Sequence, residues 1–70
     1  MELRQLQYAL AIAKELNFSR AAEKLHIAQP SLSQQLAKLE KEIGVQLFSR
    51  NTNSVELTYA GKIFMEKAQK

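Results

Sequence analysis

The sequence predicts a mainly α fold: three short helices, a two-stranded β hairpin, and a further helix at the end. Two observations carry this reading. Apolar residues recur at steps of three and four through most of the chain, the period of an amphipathic helix. Between Val45 and Leu57 the pattern changes to short alternating pieces, the period of strands. A third observation is the punctuation: Pro30, Gly44 and the run SRNTNS fall at the expected changes of element.

The first helix is expected over residues 2–16. Leu3, Leu6, Leu10 and Ala13 form its apolar stripe, and Ala9, Ile12 and Leu16 widen it. Glu2 at the front suits the helix dipole, and Asn17 is the expected stop. Ser19 then caps a second, short helix, Arg20–His26, with Ala21, Ala22 and Leu25 facing inward. Phe18, just ahead of that cap, stands where a hydrophobic staple would, and Ile27 seals the turn. Pro30 opens the third helix from its first position, where an N–H would have no intrahelical acceptor anyway. That helix runs to about Glu42. Leu32, Leu36, Leu39 and Ile43 lie on one face, and Gly44 ends it. On the opposite face lie Pro30, Gln34, Ala37 and Lys41, flanked by Ser33 and Lys38.

VQLF and VELT then read as two strands, with the polar run SRNTNS, residues 49–54, as the tip between them. A lone hairpin is unstable in water, so Val55 and Leu57 are expected to pack on the helices. Thr58 caps the last helix, Tyr59–Lys70, whose Ala60, Ile63, Phe64 and Ala68 share a face. No stop signal precedes Lys70, so this helix is expected to continue past it.

Seventy residues make one small domain with a marginal core, and without cysteine no disulfide or thiolate metal site can reinforce it. The segment MELRQLQYALAIAKELNF breaks its apolar residues with Glu2, Arg4, Lys14 and Glu15, which argues against a signal peptide. No apolar run reaches membrane-spanning length, so a soluble, cytoplasmic protein without a membrane partner is expected. The chemistry of an enzyme lacks its parts. His26 is the single histidine and aspartate is absent, which excludes a Ser–His–Asp triad and a metal cluster. Gly44 and Gly61 are too far apart for a phosphate loop. His26 therefore reads as a structural residue of the turn, and no cofactor is expected in this chain.

The formal net charge is +3, and its distribution says more than its size. There is no acid from Lys24 to Lys38, and none from Ile43 to Val55. Brought together, these two windows would form one surface tolerant of phosphates. Two short helices joined by HIAQP, with alanines in the first and a polar second, follow helix-turn-helix logic, and the hairpin makes it a winged variant. The front of the third helix offers its N–H groups and dipole to phosphate. Glutamine and serine exchange hydrogen bonds with base edges, and glutamine pairs well with adenine. Blander readings stand beside these. Gln29 and Gln34 are also what a solvated helix face carries. Arg50 has two candidate partners, the Glu56 carboxylate across the hairpin or a phosphate. Lys41, between Glu40 and Glu42, reads as a bystander. Ile63, Phe64 and Met65 read as core and subunit seam. A winged helix used for protein–protein contact is the alternative to a DNA role.

The segments AAEKLHIAQPSLSQQ, LEKEIGVQLFSR and LTYAG, in that order and spacing after the opening MELRQLQY, resemble the N-terminal DNA-binding domain of the LysR-type transcriptional regulators. The resemblance covers essentially the whole chain. It implies a winged helix-turn-helix over residues 1–58, a three-helix core plus a two-stranded β wing. The start of a linker and dimerisation helix follows over residues 59–70. It implies sequence-specific binding to a double-stranded DNA operator, with the recognition helix, about Pro30–Glu42, in the major groove. The wing, near Arg50–Ser54, would lie on the backbone or minor groove. Carried over by position, DNA contact falls on Ala28, Gln29, Pro30, Ser31, Ser33, Gln34, Lys38, Arg50, Asn51, Thr52 and Asn53. The subunit seam falls on Tyr59, Ile63, Phe64 and Lys67, which would join a homodimer or tetramer. A small-molecule inducer would belong to a C-terminal domain absent from this chain. This sequence departs from the family pattern in three places. Gln34 stands where many members carry arginine, which favours adenine over guanine there. The wing tip, Asn51 to Ser54, lacks the basic residue many carry. Ala9 replaces a frequent aromatic, a matter of packing.

Overall fold

Glu2 ends an extended entry and starts helix α1, Leu3–Glu15. Its backbone N–H donates to the Gln5 side-chain carbonyl at 3.3 Å, which accounts for Gln5 being buried on the apolar side. The computed structural model describes residues 2–51 and 54–68, with the backbone alone at Asn51. The buried line of α1 is Gln5, Ala9 and Ile12, rotated from the leucine stripe expected from sequence. Leu3 is left 70% exposed. The reason is tertiary: α2, α3 and α4 all pack against α1, and Ala9 and Ile12 are the residues they bury completely.

The helix boundaries here differ from expectation. Leu16, at φ 51°, takes the left-handed conformation that ends α1. That frees Asn17 to start the next helix instead of stopping the last. Its Oδ1 accepts the Arg20 N–H at 2.8 Å, so Asn17 and not Ser19 is the cap of α2, Phe18–Leu25. Phe18 is thus inside the helix and buried in the core, with Ala21 and Ala22 beside it. His26, at φ 60°, terminates α2, and the Ile27 N–H reaches back to the Ala22 carbonyl at 3.0 Å. The structural reading of His26 fits this position.

Helix α3 spans Gln29–Ile43, so Pro30 occupies its second position, not its first. The physics is unchanged, because that position also lacks an intrahelical acceptor. Leu32, Leu36 and Leu39 are buried, and Gly44, at φ 83°, ends the helix as expected.

The hairpin is shifted from its predicted place. Strand β1 is Phe48–Asn51 and β2 is Ser54–Leu57, antiparallel, paired from Phe48↔Leu57 to Asn51↔Ser54. Residues 45–47 are not a strand. Leu47 is a core plug with no exposure, and its N–H is taken by a carboxylate instead of a neighbouring strand. Most of the expected polar tip is therefore strand, and Thr52 and Asn53 lie outside the described residues. Thr58 caps helix α4, Tyr59–Ala68, by accepting the Gly61 N–H at 2.9 Å. Its hydroxyl donates to the Gln46 carbonyl at 2.6 Å. The core joins Ala9, Ile12, Phe18, Ala21, Ala22, Leu32, Leu36, Leu39, Leu47, Phe48 and Met65, with Val55 and Leu57 packed on it as expected.

Candidate nucleic-acid interface

Three leucines at helical spacing fix how α3 sits. With Leu32, Leu36 and Leu39 buried, the opposite face must point outward. Ala28, Pro30, Ser31, Gln34, Ala37, Lys38 and Lys41 are all exposed. Gln29 and Ser33 are half-buried at the edge of that face. At the helix front, the Ser31 and Leu32 N–H groups both turn back to the Ala28 carbonyl, at 3.1 and 3.2 Å. Proline has no N–H. The Gln29 N–H thus has no intrahelical acceptor, and the helix dipole adds to its pull on an anion.

The wing meets this front through Arg50. Residues 48 and 50 lie on the inward face of β1, as the two-residue period requires. Phe48 meets Phe18 edge to face, with ring centroids 6.3 Å apart and planes at 74°. The Arg50 guanidinium lies over the Phe18 ring, 3.7 Å from its centroid. One of its N–H groups reaches the Ser33 hydroxyl oxygen at 3.4 Å. The same oxygen accepts the Gln29 Nε2–H at 2.8 Å. Arg50 therefore joins the two acid-free windows into one surface. It pairs across the ribbon with Val55, while Ser49 opposes Glu56. Arg50 and Glu56 thus project to opposite faces, which removes the ion pair considered from sequence.

Glu40, the first acid on α3, has its carboxylate tied to backbone. Its Oε2 accepts the Leu47 N–H at 2.7 Å and the Phe48 N–H at 3.3 Å. The carboxylate thus fixes the loop leading into the wing, a role that no sequence signal indicated. Gly61 was also missed. A Cβ there would overlap the Leu47 carbonyl oxygen, so α4 can lie against the loop only because this residue is glycine. A glycine inside an otherwise helical pattern was the available signal.

The structure places the remaining expected residues as follows. Lys38 is exposed on the outward face of α3, one turn beyond Gln34. The Asn51 side chain, Thr52 and Asn53 lie outside the described residues. On α4, Tyr59 is 81% exposed, Ile63 38%, and Lys67 is exposed, aligned at steps of four. Phe64 is instead half-buried against the core. Among the described residues no helix is long and apolar enough to cross a membrane.

Residues 3–62 match the family of bacterial regulatory helix-turn-helix proteins, lysR family. A probable cat1 operon transcriptional activator of Acinetobacter lwoffii is 54% identical over 68 residues, covering 97% of this chain and 22% of that protein. The regulator BudR of Klebsiella aerogenes is 56% identical over all 70 residues, 49% of its own length. The chain thus spans between about a fifth and about half of the curated relatives it matches. Among solved structures, the DBD of BenM in complex with catB site 1 DNA superposes with a TM-score of 0.94 at 46% identity, covering 99% of this chain and 78% of that one. The DBD of CbnR in its DNA complex has the same TM-score at 43% identity, covering 99% and 79%. With four helices and a two-stranded wing among its described residues, and an exposed, acid-free front on α3, this chain belongs to the LysR family of bacterial regulatory helix-turn-helix proteins.

Proposed function

We propose that this chain is the DNA-reading head of a bacterial transcriptional regulator, a sequence-specific binder of double-stranded DNA and not an enzyme. The observation that carries the reading is the outward face of α3. Ala28, Pro30, Ser31, Gln34 and Lys38 stand exposed with no acid among them, continuous with Arg50 of the wing. Its likeness to two DNA complexes of LysR-family domains supports the same reading. The front of α3 enters the major groove, where Gln29 and Gln34 read base edges and Ser31, Lys38 and the Gln29 N–H hold phosphates. The wing, Arg50 to Ser54, lies along the backbone or minor groove. Tyr59, Ile63, Phe64 and Lys67 belong to the seam that joins two copies, so an operator would carry two half-sites spaced by helical turns. Binding of a small-molecule inducer belongs to a further domain of the whole regulator, acting in the cytoplasm.

Fluorescence anisotropy on DNA selected from a random pool tests this. Affinity should fall linearly in a log–log plot against salt, as counterions are released. Lys38→Ala should lower the slope by about one while leaving base preference alone. Gln34→Ala should cost about 1–3 kcal/mol on the selected site and relax preference at one base pair. Salt-insensitive association, with both variants unchanged, would point instead to a protein-docking winged helix.

A further inference from the structure

We infer that Ser33 is a positioning residue: it locks the Gln29 amide into a base-reading orientation, and Arg50 of the wing holds Ser33 in turn. The inference rests on the DNA-binding function proposed above. A glutamine side chain on a helix surface rotates among several rotamers, and fixing one costs entropy on binding. Here that freedom is already spent. Gln29 and Ser33 lie one helical turn apart, and the amide donates to the serine oxygen at 2.8 Å. This uses one of the two Nε2 N–H groups. The other N–H and Oε1 remain, a donor beside an acceptor, the pair that matches the N7 and N6 positions of adenine.

The serine oxygen has two lone pairs, and both are engaged. One accepts from Gln29 and the other from Arg50, at 3.4 Å. The hydroxyl hydrogen is then left to donate outward to a phosphate, a contact that carries no base preference. Arg50 does not roam either, because its guanidinium is seated on the Phe18 ring at 3.7 Å, and Phe18 is buried against Phe48. The series Phe18, Arg50, Ser33, Gln29 thus runs from the core to the edge of the reading surface. It ties the wing to the base chosen by α3, although none of the wing's residues need touch that base.

The test compares wild type with Ser33→Ala, Ser33→Thr, Gln29→Ala and the double variant Gln29→Ala/Ser33→Ala on the selected site and its single-base-pair changes. Gln29→Ala should erase preference at one base pair, about tenfold or more. Ser33→Ala should weaken preference at that same pair and not elsewhere. Ser33→Thr, which keeps the hydroxyl, should restore it. In the Gln29→Ala background, loss of Ser33 should add nothing at that position. A second readout needs no DNA: the 15N relaxation of the Gln29 side-chain amide should report greater mobility in Ser33→Ala. If Ser33→Ala weakens every sequence equally and leaves the Gln29 amide as rigid as before, the serine is a phosphate contact alone and the inference is overturned. If Gln29→Ala itself leaves all base preferences unchanged, the reading by Gln29 has failed, and the positioning role of Ser33 with it.

Discussion

Glu40 shows how one side chain can decide a neighbouring segment. Leu47 is fully buried, and its backbone N–H needs an acceptor that β2 does not supply, because strand pairing begins at Phe48. The Glu40 carboxylate supplies it and takes the Phe48 N–H as well. Hydrogen bonds to a charged acceptor are worth more than neutral ones, while an orphaned buried amide costs about 1–3 kcal/mol. Glu40→Ala should therefore lower stability by about that much in a urea melt, and Glu40→Gln, which keeps a carbonyl acceptor, by less. A Glu40→Ala protein that melts with the wild type would show that water replaces the carboxylate at no cost. Sequence reading saw Glu40 only as the acid that closes a window, because its partners are seven and eight residues away and are backbone atoms. Arg50 presents the same lesson. Both partners weighed for it from sequence were charges, yet it rests on an aromatic ring contributed by another helix.

At the scale of the element, α4 depends on a contact that its own pattern hides. Gly61 lies in the first turn after the Thr58 cap, where the helix crosses the Leu47 carbonyl. Alanine is the better helix former by about 1 kcal/mol, so propensity alone predicts that Gly61→Ala stabilises. The overlap with backbone predicts the reverse, since backbone cannot turn aside as a flexible side chain does. Overpacking of this kind costs about 1–3 kcal/mol, and it should win. A thermal melt decides the matter: a raised midpoint for Gly61→Ala would mean that the helix slides without loss. The helix starts follow the same division. The strongest periodic segments were legible, but Asn17, expected as a stop, became a start because Leu16 accepted the left-handed turn. Strand β1 slid toward polar residues because Leu47 was drawn into the core and the ribbon is solvated on one side.

At the scale of the molecule, a small core is left with apolar surface on α4. Tyr59 and Ile63 are exposed and aligned with Lys67, away from the side that Gly61 and Met65 bury. A second copy laid along this face would cover them. Ile63→Asp should then shift sedimentation toward a single copy and weaken DNA binding through lost avidity, while the melt of the domain changes little. An oligomeric state untouched by this substitution would remove Ile63 from the seam. Phe64, grouped with these residues from sequence, is half-buried against the core, so its substitution should be read as a change in stability.

The sequence by itself determined the element order, the buried leucine face of α3 and hence its exposed polar face, the end at Gly44, and the absence of acids from two windows. These follow from local period, backbone conformation and composition, which neighbours in the chain fix among themselves. Only the tertiary structure decided that the two windows meet at Ser33, that Arg50 is seated on Phe18, that Glu40 holds the loop before the wing, and that α4 needs a glycine. Each of those joins groups from separate elements. Their distances depend on how helices and wing pack around the core, and no periodicity along the chain records that.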